Sequence, residues 1–293
     1  MGGRVGERAG DAIKQWTDPG QCARLHSSVA ADSERTESMT GFEFITVTRD
    51  ERDGGTIATI TLDRPTKLNA MSTAMNGELQ AAAYDLARDD SLRAVVLTAA
   101  GKAFVGGADI REMAQLDRHT ARTFITNLHL AIDEIRRIPV PVIGRINGFC
   151  LGAGLELAAV CDFRVATEGA KFGMPEVRVG MPSVIEAVLL PRLMGWGKAT
   201  EILLTGDMID AAEAMACGLV QKVVPPEQLD VQVEAWVQSI MQSAPDAVRM
   251  QKRLIRSWQD MPIDAAINAA IDAFEESHAG DEPRTYLSRF LGG

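Results

Sequence analysis

Short β-branched runs alternate with helical patterns from Gly41 to about residue 225, and this alternation constrains the fold more than any other feature of the chain. Helical patterns separate the later runs: one is capped by Ser72, and one extends from about Thr120 to Arg137. Strands that alternate with helices predict an α/β fold with crossover connections. The runs that predict strands are EFITVTR, TIATITL, RAVVLTAA and VIGRIN.

The two ends of the chain differ from this middle part. Residues 1–40 are rich in glycine, serine, arginine and acids and show little apolar periodicity, which predicts a flexible N-terminal extension. Beyond Pro226 three helical patterns follow one another without a further strand. We therefore predict an extension (1–40), an α/β core (41–225) and a helical region (226–293) whose apolar surface suits oligomer packing.

Composition disfavours several classes of protein. The formal net charge of -10 disfavours a nucleic-acid partner. No run approaches the roughly 18 apolar residues that a membrane-spanning helix needs. The four cysteines form no CxxC pair and the four histidines show no metal-binding spacing, so we expect reduced thiols, a cytoplasmic protein and no metal site.

Two glycine- and alanine-rich loops each follow a predicted strand. In GKAFVGGADI (101–110), two glycines and small neighbours leave backbone N–H groups uncovered. In NGFCLGAGLEL (147–157), the loop opens directly into an apolar helix, whose first N–H groups can bind an anion. A tight turn with close helix packing explains either loop alone equally well. Together the loops predict a shared site at the carboxyl ends of the strands.

Glu156 and Glu176 are single carboxylates in mostly apolar surroundings. Glu156 falls in the first turn of a predicted helix, where a capping or helix-dipole acid is ordinary. Glu176 follows FGMP in a loop, where an exposed acid is ordinary. Beside two sets of N–H donors, however, paired carboxylates suit proton transfer next to a carbonyl group. Asp162 and Glu168, which lie between them, are predicted to be structural.

Three stretches of the chain resemble the crotonase (enoyl-CoA hydratase/isomerase) superfamily. They are ATITLDRPTKLNAMS, GKAFVGGADIREM and PVIGRINGFCLGAGLELAAVCDFRVATEGAKFGMPEVRVGMP. The resemblance extends from about residue 43 to the last helices. It implies an α/β, crotonase-like spiral of repeated ββα units, a C-terminal helical trimerisation region, and a homotrimer or a hexamer made of two trimers. It also implies an acyl-CoA substrate, with coenzyme A as part of that thioester and no tightly bound cofactor.

The resemblance also implies roles for individual residues. The backbone N–H groups of Ala108 and Ala153 would stabilise the thioester enolate. Glu156 and Glu176 would be the catalytic carboxylates, and their separation of 20 residues matches the hydratase pattern. Lys67, Lys102, Arg111 and Lys252 are candidate partners of the CoA phosphates, although surface solvation explains each cation as well. Implied substrate-binding residues are Lys67, Leu68, Gly106, Ala108, Asp109, Ile110, Arg111, Ala153 and Ser183.

The segment after Glu176 departs from the family pattern. The usual GxxPGxGGT becomes GMPSVIEAVLLPRLMG, which is one residue shorter and has fewer glycines. Ser183 falls where a backbone amide would help to hold the catalytic water. Glu186 is predicted to be a capping-box acid of a helix that starts near Ser183, and its alternatives are lining the acyl pocket or contacting the water. This segment bears on the acyl group more than on the fold.

The predicted reaction is the reversible addition of water to a trans-2-enoyl-CoA. Glu156 accepts a proton from the water that attacks C3, and Glu176 supplies a proton to C2. Alternatives within the family are an isomerase that moves a double bond from C3 to C2, and a specialised hydroxyacyl-CoA dehydratase. A non-enzymatic, RNA-binding protein on the same scaffold is a further alternative, which the acidic charge disfavours.

Overall fold

The computed structural model describes residues 36–39 and 41–291. The predicted N-terminal extension therefore lies outside the described residues, except for Thr36–Met39. These four residues form the first strand, which pairs antiparallel with the second, Met39 lying opposite Val47. For them the prediction of a flexible tail is wrong, because ladder hydrogen bonds hold the backbone of this strand to its neighbour.

The described strands form two sheets. The larger sheet has the order β1-β2-β3-β4-β6-β8-β11 and is parallel from β3 to β11. The smaller sheet has the order β10-β9-β7-β5. The strands are β1 Thr36–Met39, β2 Ile45–Arg52, β3 Gly55–Leu62, β4 Leu92–Ala99, β5 Ala103–Val105, β6 Val142–Ile146, β7 Phe149–Leu151, β8 Phe163–Thr167, β9 Lys171–Gly173, β10 Met208–Asp210 and β11 Lys222–Val224.

Helices connect the strands and follow them. Ser72 caps α1 by accepting a hydrogen bond from Met75 N–H, as the sequence predicts. The last helix, α10, and the strands β1, β5, β7 and β9 to β11 were not predicted from the sequence, and β5 and β7 lie within the two segments predicted to be loops. The helices are α1 Thr73–Leu86, α2 Ile110–Met113, α3 Arg118–Arg137, α4 Ala153–Ala159, α5 Leu190–Thr205, α6 Ala211–Ala216, α7 Leu229–Met241, α8 Pro245–Trp258, α9 Ile263–Ser277 and α10 Glu282–Leu291.

A repeated unit organises the middle of the chain. Two strands run in succession, one in each sheet, and a helix follows: β4 and β5 precede α2 and α3, β6 and β7 precede α4, and β8 and β9 precede α5. Each new pair lies beside the previous pair in both sheets. The α/β spiral of ββα units that the sequence resemblance implies is therefore the fold that is observed.

The larger sheet is covered on both faces, which explains the apolar runs of its sequence. All eight residues of β4 are buried. Val95 and Leu97 lie in one core cluster with residues of α1 and α3. Ala94 and Val96 face the other way and lie in a second cluster with residues of α7. A strand buried on both faces reads as a continuous apolar run rather than as an alternation.

The C-terminal region is helical, as predicted, and carries uncovered apolar side chains. On α9, Ile263, Ile267, Ile271 and Phe274 recur at helical spacing and are 54–78% exposed. Contiguous exposed apolar surface of this kind marks an interaction site. Among the described helices, none combines the length and the apolarity that crossing a bilayer requires.

Candidate active site

Three neighbouring strands of the smaller sheet deliver the candidate catalytic groups to one edge. Strands β5, β7 and β9 are parallel, with Val105 opposite Cys150 and Cys150 opposite Phe172. Ala108 and Ala153 each follow their paired residue, Val105 or Cys150, by three positions. Glu176 lies four positions after Phe172. Because the carboxyl ends of parallel strands share one edge, the strand pairing brings these three segments together.

The two candidate donors are backbone N–H groups that no described residue accepts. Ala153 is the first residue of α4, so its N–H has no intrahelical acceptor. Ala108 forms an isolated parallel bridge with Met71. In this bridge the N–H of Met71 donates to the carbonyl of Gly107, and the N–H of Asp109 donates to the carbonyl of Met71. The Ala108 N–H is therefore left out of that bridge. Both amides are available to a ligand oxygen.

Gly152 lets the donor loops and one carboxylate approach each other closely. Its φ of 53° lies in the left-handed region. A Cβ at this position would collide with Glu176 Oε1 and would lie 3.7 Å from the Cα of Gly107. The glycine that precedes the helix thus borders both the loop of Ala108 and the side chain of Glu176. A larger residue at 152 would separate the groups that the strands bring together.

Glu156 is a buried carboxyl, only 4% exposed, in the first turn of α4. Its Oε1 accepts a hydrogen bond of 3.2 Å from the N–H of Ala187. Burial first, and then the negative charges of Glu176 and Glu186, raise the pKa of Glu156 to about 9, whereas the Ala187 N–H opposes this rise. Glu156 therefore carries a proton at neutral pH. A simple capping acid would be exposed and ionised.

Glu176 has a more polar setting. It lies in a 3-10 turn, Pro175–Val179, immediately after β9, where the sequence predicts a loop. The hydroxyl group of Ser183 donates a 2.8 Å hydrogen bond to its Oε2. The sequence predicts Ser183 near an amide that would help to hold the water, and its side chain contacts the carboxylate of Glu176. This hydrogen bond orients Glu176, whose other oxygen faces Gly152.

Glu186 does not have the predicted capping role. The 3-10 turn Ile185–Leu189 begins after Val184, with no side-chain cap hydrogen bond. Glu186 Oε1 instead lies 2.6 Å from His129 Nδ1 on α3. The capping-box prediction fails because the chain enters this turn one residue later than predicted and sends the acid toward α3. Sequence reasoning missed His129, which lies 57 positions away.

Comparisons with known proteins show the family of this chain. The enoyl-CoA hydratase/isomerase family model matches residues 52–291. A probable enoyl-CoA hydratase of Mycobacterium bovis is 40% identical over 251 residues, which are 85% of this chain and 95% of the relative. The chain belongs to the enoyl-CoA hydratase/isomerase family.

Other relatives carry more specific names. A short-chain-enoyl-CoA hydratase of Clostridium acetobutylicum is 35% identical over 239 residues, 81% of this chain and 92% of the relative. A crotonyl-CoA hydratase of Syntrophomonas wolfei is 36% identical over 252 residues, 85% and 95% of the two chains. The crystal structure of an enoyl-CoA hydratase of Mycobacterium smegmatis superposes with a TM-score of 0.80 at 36% identity, covering 84% of this chain and 96% of the other.

Hydrogen bonds hold the segments that carry several of the predicted substrate-binding residues of this family member. The N–H of Gly106 donates to the carbonyl of Leu68 at 2.8 Å, which joins the TKLN segment to the first donor loop. Asp109 caps α2 through Arg111 N–H, and its Oδ2 lies 3.2 Å from Arg64. Burial by itself would raise the pKa of Asp109, but the hydrogen bond from Arg111 N–H and the Arg64 guanidinium hold this pKa below its usual value. Among the predicted substrate-binding residues and phosphate partners, the exposed side chains are Lys67, Leu68, Lys102, Ile110 and Arg111.

Lys252 does not fit the phosphate-binding role that the sequence suggests. Its side chain is buried, and Nζ donates to Val140 O and to Asp162 Oδ2, each at 2.7 Å. Asp162 also accepts a hydrogen bond from the N–H of Val142. Lys252 and Asp162 thus fix the start of β6, which confirms the structural role predicted for Asp162. Glu168 lies exposed in a turn, also as predicted.

Two further residues that support the site had a weak signal in the sequence. Asn69, in the TKLN segment, is buried with a φ of 53°, and its amide donates to the carbonyls of Ala100 and Ala103. Arg64 donates to the carbonyl of Ala70 and contacts Asp109. These residues tie the end of β3 to the loop after β4. An asparagine next to a turn was the signal that could have indicated the first of them.

Proposed function

We propose that this protein is an enoyl-CoA hydratase, which adds water reversibly to a trans-2-enoyl-CoA to give a 3-hydroxyacyl-CoA. One observation carries the proposal: two carboxyl groups, Glu156 and Glu176, adjoin the two loops whose N–H groups lack acceptors among the described residues. The hydratase names of the relatives, at 35–40% identity over most of the chain, support the same reaction.

The N–H groups of Ala108 and Ala153 would bind the thioester oxygen. Attack on C3 moves negative charge onto that oxygen, giving an enolate. Two amides fixed just beyond the ends of neighbouring strands need no rearrangement to meet this charge, and the start of α4 adds its dipole. Each donor is expected to contribute roughly 3–4 kcal/mol to the stability of the transition state, as in other oxyanion holes.

The carboxyl pair would carry out the two proton transfers of the reaction, one from the attacking water and one to C2. In hydration, Glu156 accepts a proton from the attacking water and Glu176 supplies one to C2. In the free protein the raised pKa of Glu156 keeps a proton on that residue. This is the state that the reverse reaction needs: Glu176 takes the proton from C2, and Glu156 protonates the leaving hydroxyl group. Hydration therefore requires one proton to pass from Glu156 to Glu176, and a water bound between them provides the path.

The pH dependence follows from the single proton that the pair holds. We expect kcat/KM for crotonyl-CoA to fall as pH rises through about 9, because Glu156 then ionises and no proton remains for C2. Above that point the rate should drop about tenfold per pH unit. The measurement is kcat/KM between about pH 6 and about pH 10, corrected for thioester hydrolysis. A rate that stays level through pH 10 contradicts this assignment of the proton.

The wild-type protein gives the direct test of the function. Incubation with crotonyl-CoA is expected to remove the enoyl absorbance and to produce a species heavier by one water in the mass spectrum. Incubation with a 3-enoyl-CoA distinguishes the isomerase alternative, since an isomerase forms the 2-enoyl product without hydroxyacyl-CoA. A panel of enoyl-CoAs of different length and branching then defines the acyl group. If none of them takes up water, the hydratase proposal is wrong.

We also propose that the protein works as a homotrimer or as a hexamer of two trimers. The support is the exposed apolar stripe of Ile263, Ile267, Ile271 and Phe274 on α9, which a second copy would cover. This surface belongs to the helical region that follows the α/β core. Covering it would remove four large apolar side chains from water.

A further inference from the structure

A third carboxyl group, Glu186, lies near the candidate catalytic acid Glu156. It is 5% exposed, and its Oε1 bonds to His129 Nδ1 at 2.6 Å. Its Oε2 is buried and has no hydrogen-bond partner among the described residues. A buried ionisable group with an unused oxygen is costly to keep, and such groups cluster where chemistry needs them. Nothing in the mechanism above uses this residue.

The backbone that carries Glu186 also contacts Glu156. Ala187, the next residue, donates its N–H to Glu156 Oε1 at 3.2 Å. The preceding residue, Ile185, has a φ of 42°, a left-handed conformation that a β-branched side chain rarely adopts. Strained backbone persists where surrounding contacts hold it, often at functional sites. The turn Ile185–Leu189 is thus held in a form that puts an N–H and a carboxyl group beside Glu156.

The charges around these acids come from three elements. Glu156 on α4 faces Glu176 and Glu186, and both negative charges act on it. Glu186 in turn faces His129 and Asp133, which both lie on α3. Burial raises the pKa of Glu186, and the hydrogen bond from His129 opposes that rise. His129 is half-exposed, whereas Glu186 is not, so the imidazole links the buried acid to solvent.

We propose that Glu186, held by His129, is a positioning residue that acts on the reaction through Glu156, keeping the last proton of the carboxyl pair on that residue. The inference rests on the proposed function. With Nδ1 as the donor, His129 favours the carboxylate form of Glu186 against the effect of burial. The fixed negative charge of Glu186 then opposes ionisation of Glu156. Without it, the pair loses its shared proton at a lower pH.

The test is Glu186→Gln, which keeps the size of the side chain and removes its charge. We expect the alkaline limb of kcat/KM for crotonyl-CoA to move by about one pH unit toward acid. Glu186→Asp, which restores the charge, should return most of the shift. Glu168→Gln removes an exposed turn acid and serves as the matched control, with no shift expected. A Glu186→Gln limb at the wild-type position overturns the proposal.

A second measurement does not depend on activity. The infrared absorption of a neutral carboxyl group, assigned to Glu156 by its loss in Glu156→Gln, gives the titration of that group in the free protein. Its midpoint should move toward acid in Glu186→Gln by the same amount as the kinetic limb. His129→Leu removes the donor without touching either acid, so Glu186 takes up a proton and the midpoint should move in the same direction. An unmoved midpoint in both folded variants contradicts the link.

The two readouts separate this inference from the proposed function. If wild-type protein hydrates crotonyl-CoA but Glu186→Gln leaves the infrared midpoint unchanged, the function stands and the role of Glu186 is wrong. If the midpoint moves but the wild type hydrates none of the enoyl-CoAs, the hydratase proposal is wrong and the link between Glu186 and Glu156 stands. Circular dichroism of each variant establishes that it is folded.

Discussion

Replacing Glu176 by glutamine is expected to lower kcat for crotonyl-CoA hydration by ~10²–10⁴-fold. Glutamine occupies nearly the same volume and still accepts the hydrogen bond from Ser183, so the 3-10 turn is kept. What it lacks is a proton to give to C2 and the ability to take one back. Because the substrate is still bound through its coenzyme A part, KM should change much less than kcat.

Two further measurements test the role of Glu176 directly. Exchange of the C2 hydrogen of 3-hydroxybutyryl-CoA with deuterated water isolates the step assigned to Glu176, and this exchange should be lost together with hydration. Glu168→Gln, an exposed acid in a turn, is the matched control and should retain wild-type turnover. If folded Glu176→Gln hydrates crotonyl-CoA at near the wild-type rate, the role of Glu176 is wrong.

Replacing Ala153 by proline is expected to lower kcat by about 10²–10³-fold through loss of one oxyanion donor. Ala153 is the first residue of α4, the helical position at which proline is best tolerated, because the N–H lost there has no partner in the helix. The substitution therefore removes one hydrogen-bond donor, the backbone N–H of residue 153, from the site and leaves the helix in place. The proline ring also occupies the space in front of the former donor.

Two comparisons test the reason for the loss. Ala153→Gly keeps the N–H and should retain far more activity than the proline variant. Ala211→Pro makes the same change at the first residue of α6, outside the catalytic segments, and reports the structural effect of proline at such a position. An Ala153→Pro protein that is folded and turns over like Ala153→Gly would show that this amide does not bind the thioester oxygen.

The sequence predicted the repeating part of the fold because burial on two faces leaves a strong pattern. Strand β4 is buried throughout and mostly apolar, and Ser72 marks the start of α1. The strands of the smaller sheet are three residues long, too short for a period to be visible. Pairing with neighbours, rather than propensity, makes them strands. The same limit concealed β11, a three-residue strand of the larger sheet.

The candidate site was predictable where one segment carried both a donor and an acid. Glu156 and Ala153 share the first turn of α4, so a single motif revealed both. Lys252 was misassigned as a surface cation because its partner Asp162 lies 90 positions away in the sequence. In the folded protein Lys252 is buried against Asp162. His129 was missed for the same reason, since Glu186 meets it only after α3 has packed. Partners far apart in sequence leave no local signal.

The dependence of the site on three parallel strands has a consequence for how the protein acquires activity. Val105 and Cys150 are 45 positions apart, so their pairing must close a long loop before the first two functional segments meet. Glu176 arrives only when β9 adds to that ladder. Contacts of such sequence separation form slowly and cooperatively during folding. We therefore expect activity only from chains in which this sheet is complete.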